Sequence, residues 1–334
     1  MFKINKPGLL TTVQDLGRYG YQKVGIVACG AMDQFAHRVA NLLVGNEEND
    51  ATLEITMMGP SLTFDINTLL SICGGEFDAT INGERIRPWR TVLVKKGDEL
   101  KVGSCRSGFR AYLAIAGGID VPAVMGSKST YLRAGIGGYN GRALKAGDTV
   151  KSGKLSDLSQ KLLQYVTKEN PQKPIIEAEW SIASDLLTDY DTARPVRVVK
   201  GRQFNLFTEQ SLQQFYREEF DITPQSDRMG YRLKGAPLSL ETKTDMLSEA
   251  VSFGTIQVPS DGQPIILTAD RQTTGGYPKI AQIASVDFSR IAQLKPGDKV
   301  RFTEIAHSVA EKLYLKREHS LLQLKQGLLL KTLF

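Results

Sequence analysis

Hydrophobic and polar positions alternate in short runs through most of the first 150 residues. "SLTFDI", "ATINGERI", "RTVLVKKGDELKV" and "RAYLAIAGG" are apolar or alternating segments set off by Gly, Asn and Asp. That is the pattern of half-buried strands joined by tight turns. "INGERI" reads as an Asn-Gly hairpin, because both residues tolerate the positive φ of a two-residue turn. One segment departs from this period. In "AMDQFAHRVANLLVG", Met32, Phe35, Ala36, Val39, Leu42 and Leu43 share one helical face, and Gly45 is a natural stop. A second β-rich stretch runs from "PVRVVKG" to "DKVRFTEI". It holds one helix, "TEQSLQQFYREEF", with Thr208 as N-cap and Phe207 as the apolar residue before it.

Between these halves, residues 151–194 read as a connector. "LSDLSQKLLQYV" has a helical period, and "TKENPQKP", with Pro171 and Pro174, is a polar loop. The final "HSVAEKLYLKREHSLLQLKQGLL" reads as an amphipathic helix that packs back on the sheets or against a partner. The expected organisation is a β-rich unit over 1–150, the connector over 151–194, a second β-rich unit over 195–305 and a terminal helix over 306–334. A turn signature supports two related units. "VKKGDELKV", "LKAGDTVKS" and "LKPGDKVRF" share one form, a Lys-x-Gly-Asp turn leading into a strand.

Composition narrows the function classes. The chain has 334 residues, 41% hydrophobic and 23% charged, with a formal charge of +6, the profile of a globular protein of about two domains. No basic block with interleaved aromatics appears, so nucleic acid is not an expected partner. No apolar run approaches the roughly 18 residues of a spanning helix, so no membrane partner is expected either. The start, "MFKINKPGLL", lacks the apolar core of a signal peptide, and Cys29, Cys73 and Cys105 are few, scattered and odd in number. Both features fit reduced thiols in a cytoplasmic protein. Three histidines and no zinc-type spacing give no expected metal centre.

Five constellations could carry chemistry. "TTVQDLGRYGYQKVG" sets Gln14, Asp15 and Arg18 around two glycines; an Asp15–Arg18 pair bracing the turn is the plain alternative. "ACGAMDQF" puts Cys29 before a helix, where a thiol would be activated, yet no base is near it in sequence. "GSKSTYLRAGIGGYNGR" is rich in glycines and hydroxyls but lacks the Walker pattern; a backbone anion nest is open to it. "SDRMGYRL" and "PIILTADRQTTGGYPKIA" give two Asp-Arg dipeptides at strand ends, Asp227-Arg228 and Asp270-Arg271. Neighbours on a strand face opposite ways, so one member of each can meet a ligand while the other braces the scaffold. Arginine suits capture of carboxylate or phosphate. Glu249 and Gln257 lie between the two dipeptides in sequence. The alternative is a pair of buried ion pairs fixing barrel corners.

At these residues the chain resembles a known family. "TTVQDLGRYGY", "GAMDQFAHRVANLLVGN", "GSKSTYLRAG", "SDRMGYRL" and "ADRQTTGGYPKIA" are similar, in order, to the blocks of the allophanate hydrolase subunit 2, or biotin-dependent carboxyltransferase-like, family. Within it they resemble the group of 5-oxoprolinase C subunits, also described as antagonists of a sporulation-kinase inhibitor. Cys29 stands where the family pattern has serine. The resemblance implies a mainly β, cyclophilin-like barrel architecture in two units. It implies a multi-subunit enzyme, with the A and B subunits as partners, B being a homologue of the kinase inhibitor. That enzyme hydrolyses 5-oxo-L-proline to L-glutamate with cleavage of ATP. ATP and Mg would sit at a site shared with or completed by the partners; this chain has no biotin-attachment Met-Lys-Met. Arg271 or Arg228 would hold a carboxylate or phosphate, with Asp270 and Gln272 beside them. Thr273, Thr274 and Tyr277 would join Gln272 in orienting the ring amide, and Gln14 and Asp15 would close the site. Two other activities are compatible with the resemblance: binding a histidine-kinase inhibitor without catalysis, and carboxyl transfer to a urea-like amide.

Overall fold

A computed structural model describes residues 1–169, 175–187, 190, 193–242, 244 and 246–332. The architecture is mainly β, as expected, and divides into two compact units. The first comprises Met1–Gly17, Asp33–Thr188 and His319–Phe334, and the second Arg18–Met32 and Asp189–Glu318. The segment 18–32, expected from the sequence in the first unit, thus belongs with the second. Residues 170–174 of the expected polar loop lie outside the described residues.

The first unit is built on two long antiparallel strands, Thr68–Ile81 and Glu99–Ile115, paired from Leu70↔Ile115 to Ile81↔Leu100 with register shifts between Gly74 and Ala79. Bulges bend a strand, which lets one pair line two walls of the same interior. Gly74 has φ 111°, and a Cβ there would meet the Arg110 carbonyl oxygen at 2.5 Å. The interior is filled from Phe2, Ile4, Leu53, Ile55, Leu62, Phe64 and Leu113, among others. The predicted hairpin forms: Asn82 (φ 52°) and Gly83 (φ 91°) turn the chain so that Arg85 pairs with Thr80. Helix α1 (Gln34–Leu43) is capped by Asp33, whose side chain accepts from the Ala36 amide at 3.0 Å. Helix α2 (Asp157–Glu169) covers the expected helical part of the connector, and Ile176–Glu177 beyond it adds a strand to the first sheet beside Val92–Val94.

The second unit holds an eight-stranded sheet in the order Lys299–Val300, Phe220–Ile222, Gly230–Lys234, Ile265–Leu267, Thr255–Gln257, Lys279–Ile283, Val196–Lys200, Phe302–Glu304. Helix α3 (Glu209–Arg217) has the predicted Thr208 cap, accepting from Ser211 at 3.1 Å. Its Phe215 stacks on Phe302 at 4.7 Å between centroids. The short helix α4 (Phe288–Ala292) precedes the third signature turn. Helix α5 (His307–Lys331) buries Leu321 and Leu328, while Leu315, Leu322 and Leu329 stand exposed.

The recurring Lys-x-Gly-Asp signature is one device used three times. In each turn the Lys amide donates to the Asp carboxylate, Lys95 to Asp98 and Lys145 to Asp148 at 2.7 Å and Lys295 to Asp298 at 3.0 Å. The glycine takes a left-handed φ of 93°, 89° and 92° at Gly97, Gly147 and Gly297. The glycine and aspartate then clasp one residue of a neighbouring strand, Phe64, Ile4 and Ile222 respectively. Two of the turns lie in the first unit and one in the second.

A polar knot in the first unit makes its stability pH-dependent. His37 is wholly buried. The Asn41 Nδ2 donates to the Asp50 carbonyl at 2.7 Å and faces His37 Nε2 at 3.3 Å. Nε2 is therefore the acceptor, and Nδ1–H donates to Thr52 Oγ1 at 2.9 Å. Burial, the largest cause, lowers the His37 pKa from 6.5 to about 4. The unfolded chain binds this proton first, so stability is full above pH 6.5 and falls as pH drops toward 4. The loss expected by pH 4 is about 3 kcal/mol. Urea unfolding of wild type and His37→Gln at pH 7 and pH 4 checks it: wild type should lose about that much more than the variant.

Candidate functional site

The strand Ile265–Leu267 ends in a turn over Thr268–Arg271. Thr268 Oγ1 donates to the Arg228 carbonyl at 2.6 Å, the Asp270 amide donates to the same carbonyl at 2.7 Å, and the Arg271 amide returns to Thr268 O at 3.3 Å. These bonds seat the two Asp-Arg dipeptides side by side, and the ion pair forms across them. Arg228 meets Asp270 as a fork, Nε to Oδ2 at 3.0 Å and Nη2 to Oδ1 at 2.9 Å, with both side chains at or below 10% exposure. Arg228 Nη2 also donates to Gly30 O at 2.7 Å. Asp227 caps the turn before its strand, accepting from the Met229 amide at 2.7 Å. Arg228 and Asp270 thus take the bracing role that was the alternative in the sequence reading.

Arg271 takes no part in that pair. It is half-buried, and its contacts are long ones to carbonyls, Nε to Val251 O at 3.4 Å and Nη1 to Thr268 O at 3.2 Å. Among the described residues no carboxylate pairs with it. Burial pushes its pKa down, against the raising influence of Tyr19, Cys29 and Asp270. A desolvated guanidinium without a carboxylate partner has the chemistry to take an oxyanion.

The residues after Arg271 form a two-stranded ribbon, Glu249–Ala250 against Thr274–Gly275. The side chains of Gln272, Thr273 and Thr274 make no hydrogen bond among the described residues, and Tyr277 is 47% exposed. Tyr277 lines a cleft of about 960 Å³ with Phe207, Leu238, Met246, Val258 and Pro278. The pair Gly275-Gly276 does not form a left-handed turn. Gly275 lies in the ribbon, and neither it nor Gly276 has a positive φ. Gly275 is small for another reason: a Cβ on it would sit 2.4 Å from Gln257 Nε2.

Gln14 and Asp15 belong to the first unit. Asp15 Oδ1 accepts from the Ser127 hydroxyl (2.7 Å), the Ser129 hydroxyl (2.5 Å) and the Gly17 amide (2.8 Å), and Oδ2 accepts from the Lys128 amide (2.6 Å). The start of the glycine-rich stretch, Ser127–Ser129, is therefore a nest whose anion is Asp15. Gln14 donates through Nε2 to Thr12 Oγ1 and Thr130 O, leaving Oε1 buried without a donor among the described residues. Cys29 is buried at φ 57°. Burial first, and the Asp270 charge second, push its thiol up to about 12, which favours the protonated thiol over the nucleophilic thiolate.

Sequence reasoning missed one cluster. Lys279, only 8% exposed, reaches Glu249 Oε2 at 3.2 Å, and Arg202 Nη1 reaches Oε1 at 3.0 Å. The hydrogen bond from Lys279, first, and the nearby cations hold the Glu249 carboxyl below its usual range. The available signal was a lysine at an inward position of the strand "KIAQI".

The family described as "Carboxyltransferase domain, subdomain A and B" matches residues 24–304. The chain is 38% identical over 304 residues to the 5-oxoprolinase C subunit of Escherichia coli, spanning 91% of each. It is 36% identical over 315 residues to the 5-oxoprolinase C subunit of Haemophilus influenzae, spanning 94% of each. The crystal structure of the K. lactis urea amidolyase is similar over 97% of this chain, with TM-score 0.85 and 31% identity; this chain spans 20% of that one. On this match, and on the two barrel-like units that carry it, the chain belongs to the carboxyltransferase subdomain A and B family, in the group that includes the 5-oxoprolinase C subunits.

Proposed function

We propose that this chain is one component of an ATP-dependent 5-oxoprolinase, active with partner subunits of the A and B kinds, and that it holds the anionic part of the reacting molecule. The observation that carries the reading is Arg271, a desolvated guanidinium with no carboxylate partner among the described residues. The relatives named as 5-oxoprolinase C subunits supply the substrate class. A lactam is resonance-stabilised and opens reluctantly. Phosphorylation of its amide oxygen by ATP would make the ring carbon electrophilic. Water would add there, and the C–N bond would break with the nitrogen leaving as the amine. A second water would release phosphate from the resulting acyl phosphate to give glutamate. Negative charge grows on the phosphoryl group and the ring oxygen, and a pre-placed guanidinium offsets it without reorganisation. Arg271 takes the substrate carboxylate or the phosphoryl oxygens, and the free side chains of Gln272, Thr273 and Thr274 orient the amide.

The nucleotide belongs with the partner subunits in this reading. At Ser127–Ser129 of the glycine-rich loop the Asp15 carboxylate already takes the two hydroxyls and the Lys128 amide, which disfavours a phosphate there. Carboxyl transfer is the second reading, favoured by the likeness to the K. lactis urea amidolyase. The test is ADP release on adding 5-oxo-L-proline to the three subunits, with a mixture lacking this chain as control. ADP that appears only with the full set supports the proposal. A fully assembled set with no response to 5-oxo-L-proline removes it and moves carboxyl transfer ahead.

A further inference from the structure

The loop between Arg18 and Ala28 is built as a closed unit. Its ends are tied by the Arg18 amide donating to Ala28 O at 2.6 Å. Inside, the Val24 and Ile26 amides donate to Tyr21 O, Gln22 Nε2 donates to Arg18 O at 2.5 Å, and the Gly20 amide donates to Gln22 Oε1 at 2.9 Å. No residue from 19 to 27 hydrogen-bonds outside the loop among the described residues. Gly20 (φ 96°) and Gly25 (φ 84°) have open space where a side chain would stand. A compact loop with joined ends, whose residues 19–27 bond only within it among the described residues while Arg18, Val27 and Ala28 at its base are buried, is built to move as one piece.

The loop carries apolar surface in water, and the chain leaving it runs to the Arg228–Asp270 pair, next in sequence to Arg271. Tyr19, Tyr21 and Val24 are 58%, 41% and 67% exposed. The chain leaving it is clamped to the site: Gly30 O accepts from Arg228, Arg228 grips Asp270, and Arg271 follows. Tyr19 is next to the tied end at Arg18, and its phenol acts electrostatically on the Arg271 guanidinium. The Asp15 carboxylate holds Gly17 on the other side of Arg18.

We propose that the loop Arg18–Ala28 is a cover for Arg271, closing when a small oxyanion, a carboxylate or a phosphoryl group, binds there, with Tyr19 as its contact residue. This rests on the reading of Arg271 as an oxyanion receptor. Closure sets the phenol and ring of Tyr19 against the bound anion and shuts out water. Exclusion of water strengthens an ion pair at a half-buried site. The cover also buries the apolar face that is exposed in the open loop.

Lys23 lies exposed at the loop tip, which gives a readout independent of turnover. The full chain is treated with trypsin, alone and with saturating 5-oxo-L-proline, acetate or inorganic phosphate, and the fragment ending at Lys23 is followed by mass spectrometry. Calorimetry records binding of each probe in parallel. Cleavage after Lys23 is expected to slow about tenfold with a bound probe, because proteolysis tracks the open population. Tyr19→Ala should bind the same probe more weakly and lose the protection, while Tyr19→Phe keeps most of it. Protection by 5-oxo-L-proline and acetate points to a carboxylate ligand, and protection by phosphate to a phosphoryl group. A probe that binds without changing cleavage at Lys23 overturns the cover and leaves Arg271 as receptor. Failure of all three probes to bind overturns both.

Discussion

Arg271→Ala is expected to lower ADP release coupled to 5-oxo-L-proline by about a hundredfold or more in the assembled enzyme, the scale seen when one preorganised charge-stabilising donor is removed. The fold should be nearly untouched. The guanidinium gives the protein only two long bonds to carbonyls, at 3.4 and 3.2 Å, and no ion pair among the described residues. Removing a partly desolvated cation also removes the cost of desolvating it. The urea midpoint should therefore shift little while binding and turnover collapse. Arg271→Lys should restore little, because an ammonium cannot offer two parallel donors from one plane. Calorimetric binding of 5-oxo-L-proline to the isolated chain separates the roles: a variant with normal affinity and lost turnover places Arg271 on the phosphoryl group, and lost affinity places it on the carboxylate. Near-normal turnover would remove Arg271 from the site.

Arg228→Ala should have the opposite signature, a large loss of stability. It leaves the Asp270 carboxylate, whose side chain is 8% exposed, without either prong of its fork. Breaking one side of a buried pair costs about 3–5 kcal/mol, because the remaining charge has neither water nor partner. Gly30 O loses its donor too, so the chain around Cys29 loosens with it. Replacing both partners by apolar residues, Arg228→Met with Asp270→Leu, should recover much of the loss, since desolvation then disappears from both sides. Urea unfolding of the two singles and the double gives the coupling energy directly. A single variant within about 1 kcal/mol of wild type would show that the pair is not a brace.

The local features of this chain follow from its sequence. The caps Asp33 and Thr208, the Asn82-Gly83 hairpin and the three Lys-x-Gly-Asp turns each depend on groups within a few residues of one another. Spacing along the chain nearly equals spacing in space for such bonds, so residue type and order suffice. The apolar period gave α1 and α3 for the same reason, and the ordered blocks around Asp15, Asp33, Arg228 and Asp270 carried the family. Only the tertiary structure decided which charged groups pair with one another and which have no carboxylate partner among the described residues. Asp15 finds its hydroxyls 112 and 114 residues away, and Arg228 finds Asp270 at 42. Lys279 and Glu249 are 30 apart. Those separations are set by strand order and register, which bring together positions that no local pattern links. Two adjacent Asp-Arg dipeptides can pair within or across, and composition favours neither. The bond from Arg228 to Gly30 and the turn over Thr268–Arg271 select the cross pair, and that choice is what leaves Arg271 without a carboxylate partner.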